Sequence, residues 1–472
     1  MGEEITTRRF SAEDHAEYRA RLARETDLLA DWIAHNRFPA CAAVGGFELE
    51  VCLTDAAGGP AAVNETLLPR IDAPDVVPEL AQFDIEINVD PCALAGDALA
   101  RLHANLQTTW SRVVERARPL AVEPVAVGIL PSLTEADLTL RQMSHQTRFR
   151  ALNDQVFRLR HGRPITLEIA GRDRLRSVHH DVMLEAAATS FQVHMQIGPG
   201  EAAALYNAAI ALSAPMVALA ANSPYLFGRA LWAETRIPLF EQAVDTGVGQ
   251  GAARVTLGRG YVDASLLECF RENIADYPVL LPVLKQNPPD TLPHLRLHNG
   301  TVWRWNRPLI GFDAAGNPHW RIEHRVMPAG PSLVDTIANA AYFFGLARYY
   351  ATQPEPLHRR LDFTQARENF YAAARDGLNA TLRWTDGAPI AVRELLGGIL
   401  LRHARAGLAL MDLDAADIDL YLNVIAERVR RGQNGAVWQC RYVQRHGCDM
   451  RALTLAYRER QRGGTPVHEW EL

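Results

Sequence analysis

Four separated stretches of this 472-residue chain alternate between apolar and polar residues, and their polar positions carry chemically active side chains. Successive side chains of a β-strand point to opposite faces, so residues of one parity share a surface. In 47–53 (FELEVCL) that surface holds Glu48 and Glu50, and in 83–89 (FDIEINV) it holds Asp84, Glu86 and Asn88. In 190–197 (SFQVHMQI) it holds Gln192, His194 and Gln196, and in 321–326 (RIEHRV) it holds Arg321, Glu323 and Arg325. A solvated sheet face would account for any one of these segments. Such faces usually carry Thr, Ser and Lys, whereas these concentrate carboxylates, an imidazole and arginines. If the four strands share a sheet, their acids repel one another unless cations bridge them. Carboxylate oxygens with an imidazole suit Mg2+ or Mn2+, ions that commonly arrive with nucleotide phosphates.

The rest of the chain reads as one α+β unit. A Ser11/Asp14 capping pattern opens an amphipathic helix running to Asn36. From Val44 to Leu130 short runs broken by Gly, Pro and Asp predict strands. Helical text dominates 135–160, 175–188 and 202–221, strands resume over 295–326, and long helical runs follow Ser332. The 202–221 run is apolar, but its alanines and Pro215 predict a buried helix kinked or broken near the proline rather than a membrane span. The expected organisation is an N-terminal helix (1–40), a catalytic core (41–355) and a helical C-terminal portion (356–472) packed on the same unit.

Composition narrows the function. A formal charge of -6 without blocks of like charge lacks the footprint of a nucleic-acid binder. Lys285 is the only lysine, so neither a Walker A loop nor a kinase-type strand lysine can exist, and phosphate must be met by arginine and metal. Cys41, Cys52, Cys92, Cys269, Cys440 and Cys448 show no paired spacing and read as reduced thiols. The opening MGEEITTRRF carries charges where a secretory signal needs an apolar core, so a cytoplasmic location is expected.

Other features yield less. Gly198-Pro199-Gly200 lacks the third glycine of a dinucleotide fingerprint and reads as a tight turn. His179-His180-Asp181 lies in helical text, where adjacent residues diverge, and His294/His298 lie in text read as strand and turn, so neither suggests a metal site. Trp303, Trp305 and Phe312 suit packing and substrate stacking equally.

Taken in order, GGFELEVCLTD, FDIEINVDP, TSFQVHMQI, ANSPYLFG with ETR, TVWRWNRP, RIEHRVMPAG and RENFYAAARDGLNA resemble the type 2 glutamate-cysteine ligase family, in its bacterial carboxylate-amine ligase branch. The likeness spans roughly 45–380. It implies a glutamine-synthetase-like fold, in which a curled antiparallel sheet forms a funnel with helices behind it. It further implies metal ligands at Glu48, Glu50, Glu86, His194 and Glu323, with Glu50, Glu323, Arg325 and Arg236 catalytic. Arg325, Arg307 and Gln192 would meet ATP, with Mg2+ or Mn2+ as the metal. The implied reaction joins a small-molecule carboxylate to an amine through an acyl phosphate, releasing ADP and phosphate, with glutamate and cysteine as the family's substrates and a homo-oligomer as its habit. The alternatives are an ATP-independent glycosidase or amidase using paired carboxylates, and a regulator with a degenerate metal or nucleotide site. Arginines among the acids of the late strand count against the first, and the full residue set against the second.

Overall fold

The four alternating segments hydrogen-bond side by side. In the computed structural model, which describes residues 4–247 and 253–472, they belong to one curled seven-stranded sheet whose neighbours all run antiparallel. The strands in chain order are β1 (Val44–Thr54), β2 (Val76–Pro78), β3 (Asp84–Ala93) and β4 (Glu123–Val125). A separate hairpin of β5 (Ile165–Ala170) and β6 (Arg174–His179) precedes β7 (Ser190–Ile197), β8 (Asn306–Phe312) and β9 (Pro318–Pro328). Across the sheet the order is β8-β9-β7-β1-β3-β2, with β4 paired to the end of β1. Of the expected N-terminal portion (1–40) and the opening MGEEITTRRF, residues 1–3 lie outside the described range.

Parity works as the alternation requires. Phe47, Leu49, Val51, Ile85, Ile87, Phe191, Val193, Met195 and Ile322 are buried on one face. Against that face of the sheet pack the helices Ala98–Ala117, Ala202–Ala220 and Leu333–Ala351. Removing this apolar area from water is the main force holding the layers together. The C-terminal helices Leu401–Ala409 and Ala415–Arg431 pack behind Leu333–Ala351. The crossing of Leu333–Ala351 and Leu401–Ala409 is so close that a β-carbon at Gly407 would overlap the Gly345 carbonyl.

Several expected elements differ, each for a local reason. The 44–130 stretch is not all strand, because Leu99, Leu102, Leu106, Thr109 and Val113 recur at helical spacing and bury one face of Ala98–Ala117. The expected 135–160 helix is confined to a short turn at Glu135–Asp137 and the Thr147–Leu159 helix. The expected 175–188 helix is instead β6 followed by the turn Met183–Ala187. Its residues alternate, with Leu175, Ser177 and His179 buried and Arg174, Arg176 and Val178 exposed. Residues 293–300 form a helix rather than strand and turn. The Glu25 carboxylate caps it by accepting the amides of His294 and Leu295 at 2.8 Å each, and it also meets His294 Nδ1 at 2.5 Å. That contact joins the N-terminal helix Ala12–Ala34 to the segment leading into β8. The Ala202–Ala220 helix runs unbroken through Pro215. Among the described residues it is the one helix long and apolar enough to cross a membrane, and it is buried in the protein.

Candidate active site

The second face of the sheet carries the polar parity. Register places Arg307 of β8 opposite Glu323 of β9, Glu323 opposite His194 of β7, Gln192 of β7 opposite Glu48 of β1, and Glu50 of β1 opposite Glu86 of β3. The fold therefore brings the five expected metal-ligand candidates and two arginines onto one surface.

Two charge environments divide it. On the β9 side, Glu323 is held by Arg307 Nη2 at 2.9 Å and Arg325 Nη1 at 2.7 Å. Burial would raise this carboxyl, but the two guanidiniums outweigh it and keep it well below the usual range. Burial likewise opposes ionisation of Glu48, yet the His194 imidazole holds its pKa down at about 2. His194 Nε2 pairs with Glu48 Oε1 at 3.3 Å, and both ring nitrogens are buried without a well-formed hydrogen bond among the described residues. A buried imidazole beside two carboxylates is suited to metal ligation.

Toward β3 the balance reverses. One oxygen each from Glu50, Glu79 and Glu86 lie within 4.8 Å of one another, a separation that metal–oxygen bonds of about 2–2.5 Å can span. Glu79 is an acid that the alternation missed, because it follows the three-residue β2 just before the turn into β3. The hairpin register offers the signal: Pro78 faces Ile85 and Val77 faces Glu86, so continuing the pairing puts Glu79 on the same face as Glu86 and Asp84. Burial and Glu79 push Glu50 up to about 7 against the pull of Arg325. Burial with Glu48, Glu79 and Glu50 pushes Glu86 well above its ordinary range, and one of its oxygens is buried without a partner among the described residues. These groups fit a divalent cation, which would relieve their repulsion.

This frustration fixes the sign of a pH effect. Glu50 binds its proton more tightly folded than unfolded, so its contribution is full below about pH 4.5 and is lost as pH rises to about 7. Metal-free protein is expected to lose stability across that window, with a flatter profile when Mg2+ or Mn2+ is added. Urea unfolding at stepped pH, with and without metal, measures this.

Gln192 Nε2 donates to Glu50 Oε1 at 2.8 Å, and the Ser190 amide donates to Glu50 Oε2 at 2.6 Å. The β9 ladder shifts register between His324 and Met327, the local irregularity from which Arg325 turns toward Glu323. Arg236, buried at the start of the Arg236–Ala243 helix, donates to the Arg325 and Val326 carbonyls at 3.3 and 2.5 Å and to Glu234 at 3.2 Å. It thus steadies the strand that presents Arg325. Trp305 is core, its Nε1 donating to Glu241 at 3.0 Å, and Phe312 packs edge-on to Trp32. His179 ends a strand and bonds Ser177 at 2.8 Å, while His294 and His298 lie on one helix and bond to Glu25 and the Asn273 carbonyl.

The profile of glutamate-cysteine ligase family 2 matches residues 44–464. No curated protein sequence gives a significant match. A glutamate–cysteine ligase from Francisella tularensis, solved in complex with AMP, is similar in fold. Its TM-score is 0.52 at 12% identity over 90% of each chain. A bifunctional glutathione synthetase from Pasteurella multocida also gives 0.52, at 10% identity, over 95% of this chain and 55% of its own. The chain belongs to glutamate-cysteine ligase family 2 and is an ATP-dependent carbon–nitrogen ligase.

Proposed function

We propose that the polar face is the wall of a glutamine-synthetase-like funnel in which a small-molecule carboxylate is activated by ATP and joined to an amine, with release of ADP and phosphate. The observation that carries this reading is the division of charge: clustered acids on β1 and β3, and on β9 an acid clamped between two arginines. Glu50, Glu79 and Glu86 would hold one divalent cation, and Glu48, His194 and Glu323 suit another. Such cations, when bound, neutralise nucleotide phosphates and charge developing on the transferred group.

The chain's own residues supply the rest. Arg325 and Arg307 face the nucleotide from β9 and β8, and Arg325 stabilises charge on the phosphoryl group while the substrate carboxylate attacks it. Gln192 orients Glu50 through the 2.8 Å hydrogen bond. Arg236 acts through the β9 backbone rather than by touching phosphate. Alignment of the acid, the phosphate and the amine on one rigid sheet supplies much of the rate. Glutamate and cysteine are the first substrates to try, on the strength of the family.

The test is purified protein with Mg-ATP and a panel of amino acids and carboxylates, scored for ADP, AMP and phosphate. ADP formation that requires both an acid and an amine is the expected result. AMP with pyrophosphate would exclude an acyl phosphate, and turnover without ATP would favour a hydrolase.

A further inference from the structure

A cavity of about 660 Å³, a usual size for a small-ligand site, takes none of its lining from the seven-stranded sheet. We propose that it binds a small organic acid with an apolar body, and that its occupancy is felt at Arg307. On the Ala12–Ala34 helix, His15, Arg19 and Leu22 line it, at the three- and four-residue spacing that puts side chains on one face. Arg158 and Leu159 line it from the end of the Thr147–Leu159 helix. Residues 274–279, from the Leu267–Asp276 helix onward, and His298 of the Pro293–Gly300 helix complete the lining.

The charge on these walls is one-sided. Arg158 Nη2 donates to His15 Nε2 at 2.6 Å, and neither Arg158 nor Arg19 pairs with a carboxylate among the described residues. The acids of the same helices have other partners: Asp154 meets Arg8 at 2.7 Å, Glu17 meets Arg21 at 2.7 Å, and Asp14 accepts the Ser11 amide at 2.8 Å. Asp276, which lines the cavity, is held by Arg259. Next to Pro278 stands Arg254, fully buried and again without a carboxylate among the described residues. Burial pushes its pKa down to about 10. Guanidiniums without counter-ions, one of them withdrawn from water, make a positive field that an entering anion offsets.

The rest of the lining describes the body of the ligand. Leu22, Leu159, Ile274, Tyr277 and Val279 offer apolar contact. His298 is 2% exposed, and its Nε2 meets the Asn273 carbonyl at 3.1 Å, which leaves Nδ1 as an acceptor. That nitrogen is buried without a partner among the described residues. An acid that also carries an amide or hydroxyl donor fits these walls best.

Two links lead from the cavity to the polar face. Gly300 ends the helix that carries His298, and its carbonyl accepts from Arg307 Nη1 at 3.2 Å. Arg254 joins the wall at the Pro278 carbonyl to the carbonyl of Thr301, the residue after Gly300, at 2.8 Å. A ligand that shifts either link acts where Arg307 is anchored, and the effect is read in the KM for ATP. This coupling rests on the ligase reading above, whereas the binding does not.

Calorimetric titration of the full chain without nucleotide tests the binding, with N-acetylphenylalanine, its neutral amide, phenyl phosphate and inorganic phosphate as probes. The organic acids are expected to bind, the tighter of the two naming the head group, and the neutral amide to bind about tenfold more weakly. Arg19→Gln combined with Arg158→Gln is expected to weaken the acids by about tenfold. Ala12→Trp, at an exposed residue of the lining, adds bulk without altering charge and is expected to block them. Should the double variant fail to fold, Ala12→Trp carries the test. Equal binding of acid and amide, undiminished binding in the variants, or no saturable binding of either organic acid overturns the site. Inorganic phosphate binding as tightly as phenyl phosphate overturns the apolar body. In the ligation assay, saturating acid is expected to change the KM for ATP by about fivefold in the parent and not in the double variant. An unchanged KM with binding intact overturns the link to Arg307. Absence of ATP turnover in the parent overturns the ligase reading instead and leaves the calorimetric result standing.

Discussion

Replacing Glu86 with glutamine is expected to cut ligation by about 10^3-fold or more and, in the same preparation, to make the metal-free protein harder to unfold. The loss follows from removing one of three carboxylates that converge on a single point, since a correctly placed cation supplies several kcal/mol of transition-state stabilisation. The gain follows from the same geometry. Glu86 is buried, repelled by Glu48, Glu79 and Glu50, and has an oxygen with no partner among the described residues. A neutral amide of the same shape relieves that repulsion by on the order of 1 kcal/mol. Turnover assays and urea unfolding in the presence of a chelator read the two effects. Opposite signs mark a binding site, because a residue serving the core would lose stability on substitution. If stability falls with activity, Glu86 is structural and the proposed cation position is wrong.

Arg236→Met is expected to cost about 3–5 kcal/mol of stability, the range for removing one partner of a buried ion pair. Arg236 is 1% exposed. Its loss leaves Glu234, itself fully buried, with the Asn222 amide but no guanidinium, and strips donors from the Arg325 and Val326 carbonyls where the β9 ladder slips. The resemblance had placed Arg236 among the catalytic residues. A direct phosphate contact would show the other pattern, an unfolding midpoint close to that of the parent with a raised KM for ATP. Denaturant titration alongside ATP kinetics separates the two roles.

The acids were legible in the sequence because strand alternation is local: Glu48 and Glu50, or Glu323 and Arg325, share a face whatever surrounds them. Their assembly was legible only conditionally, since nothing local says that β9 lies beside β7 and β7 beside β1. Glu79 escaped because a three-residue strand shows no period, and only the pairing across the following turn gives it a face. Strand β6 escaped because its segment looked helical. The hairpin Leu175–Ser177–His179 alternation was there, but the alanines of 186–188 and the run from Val182 to Leu184 masked it. The Ala98–Ala117 helix was lost for a related reason, a helical period hidden among Gly- and Pro-punctuated strands. The near absence of lysine worked differently, as it excluded whole classes of phosphate site without locating any residue.

The Glu25 cap has a practical reach. The region shared with the ligase family begins at residue 44, so a cloning boundary chosen by homology would discard the helix that carries Glu25. The amides of His294 and Leu295 would then lose their acceptor, at the root of the segment that delivers Arg307 to the polar face. Homology marks where relatives agree, whereas the expressible unit extends to the last residue that a distant helix end depends on.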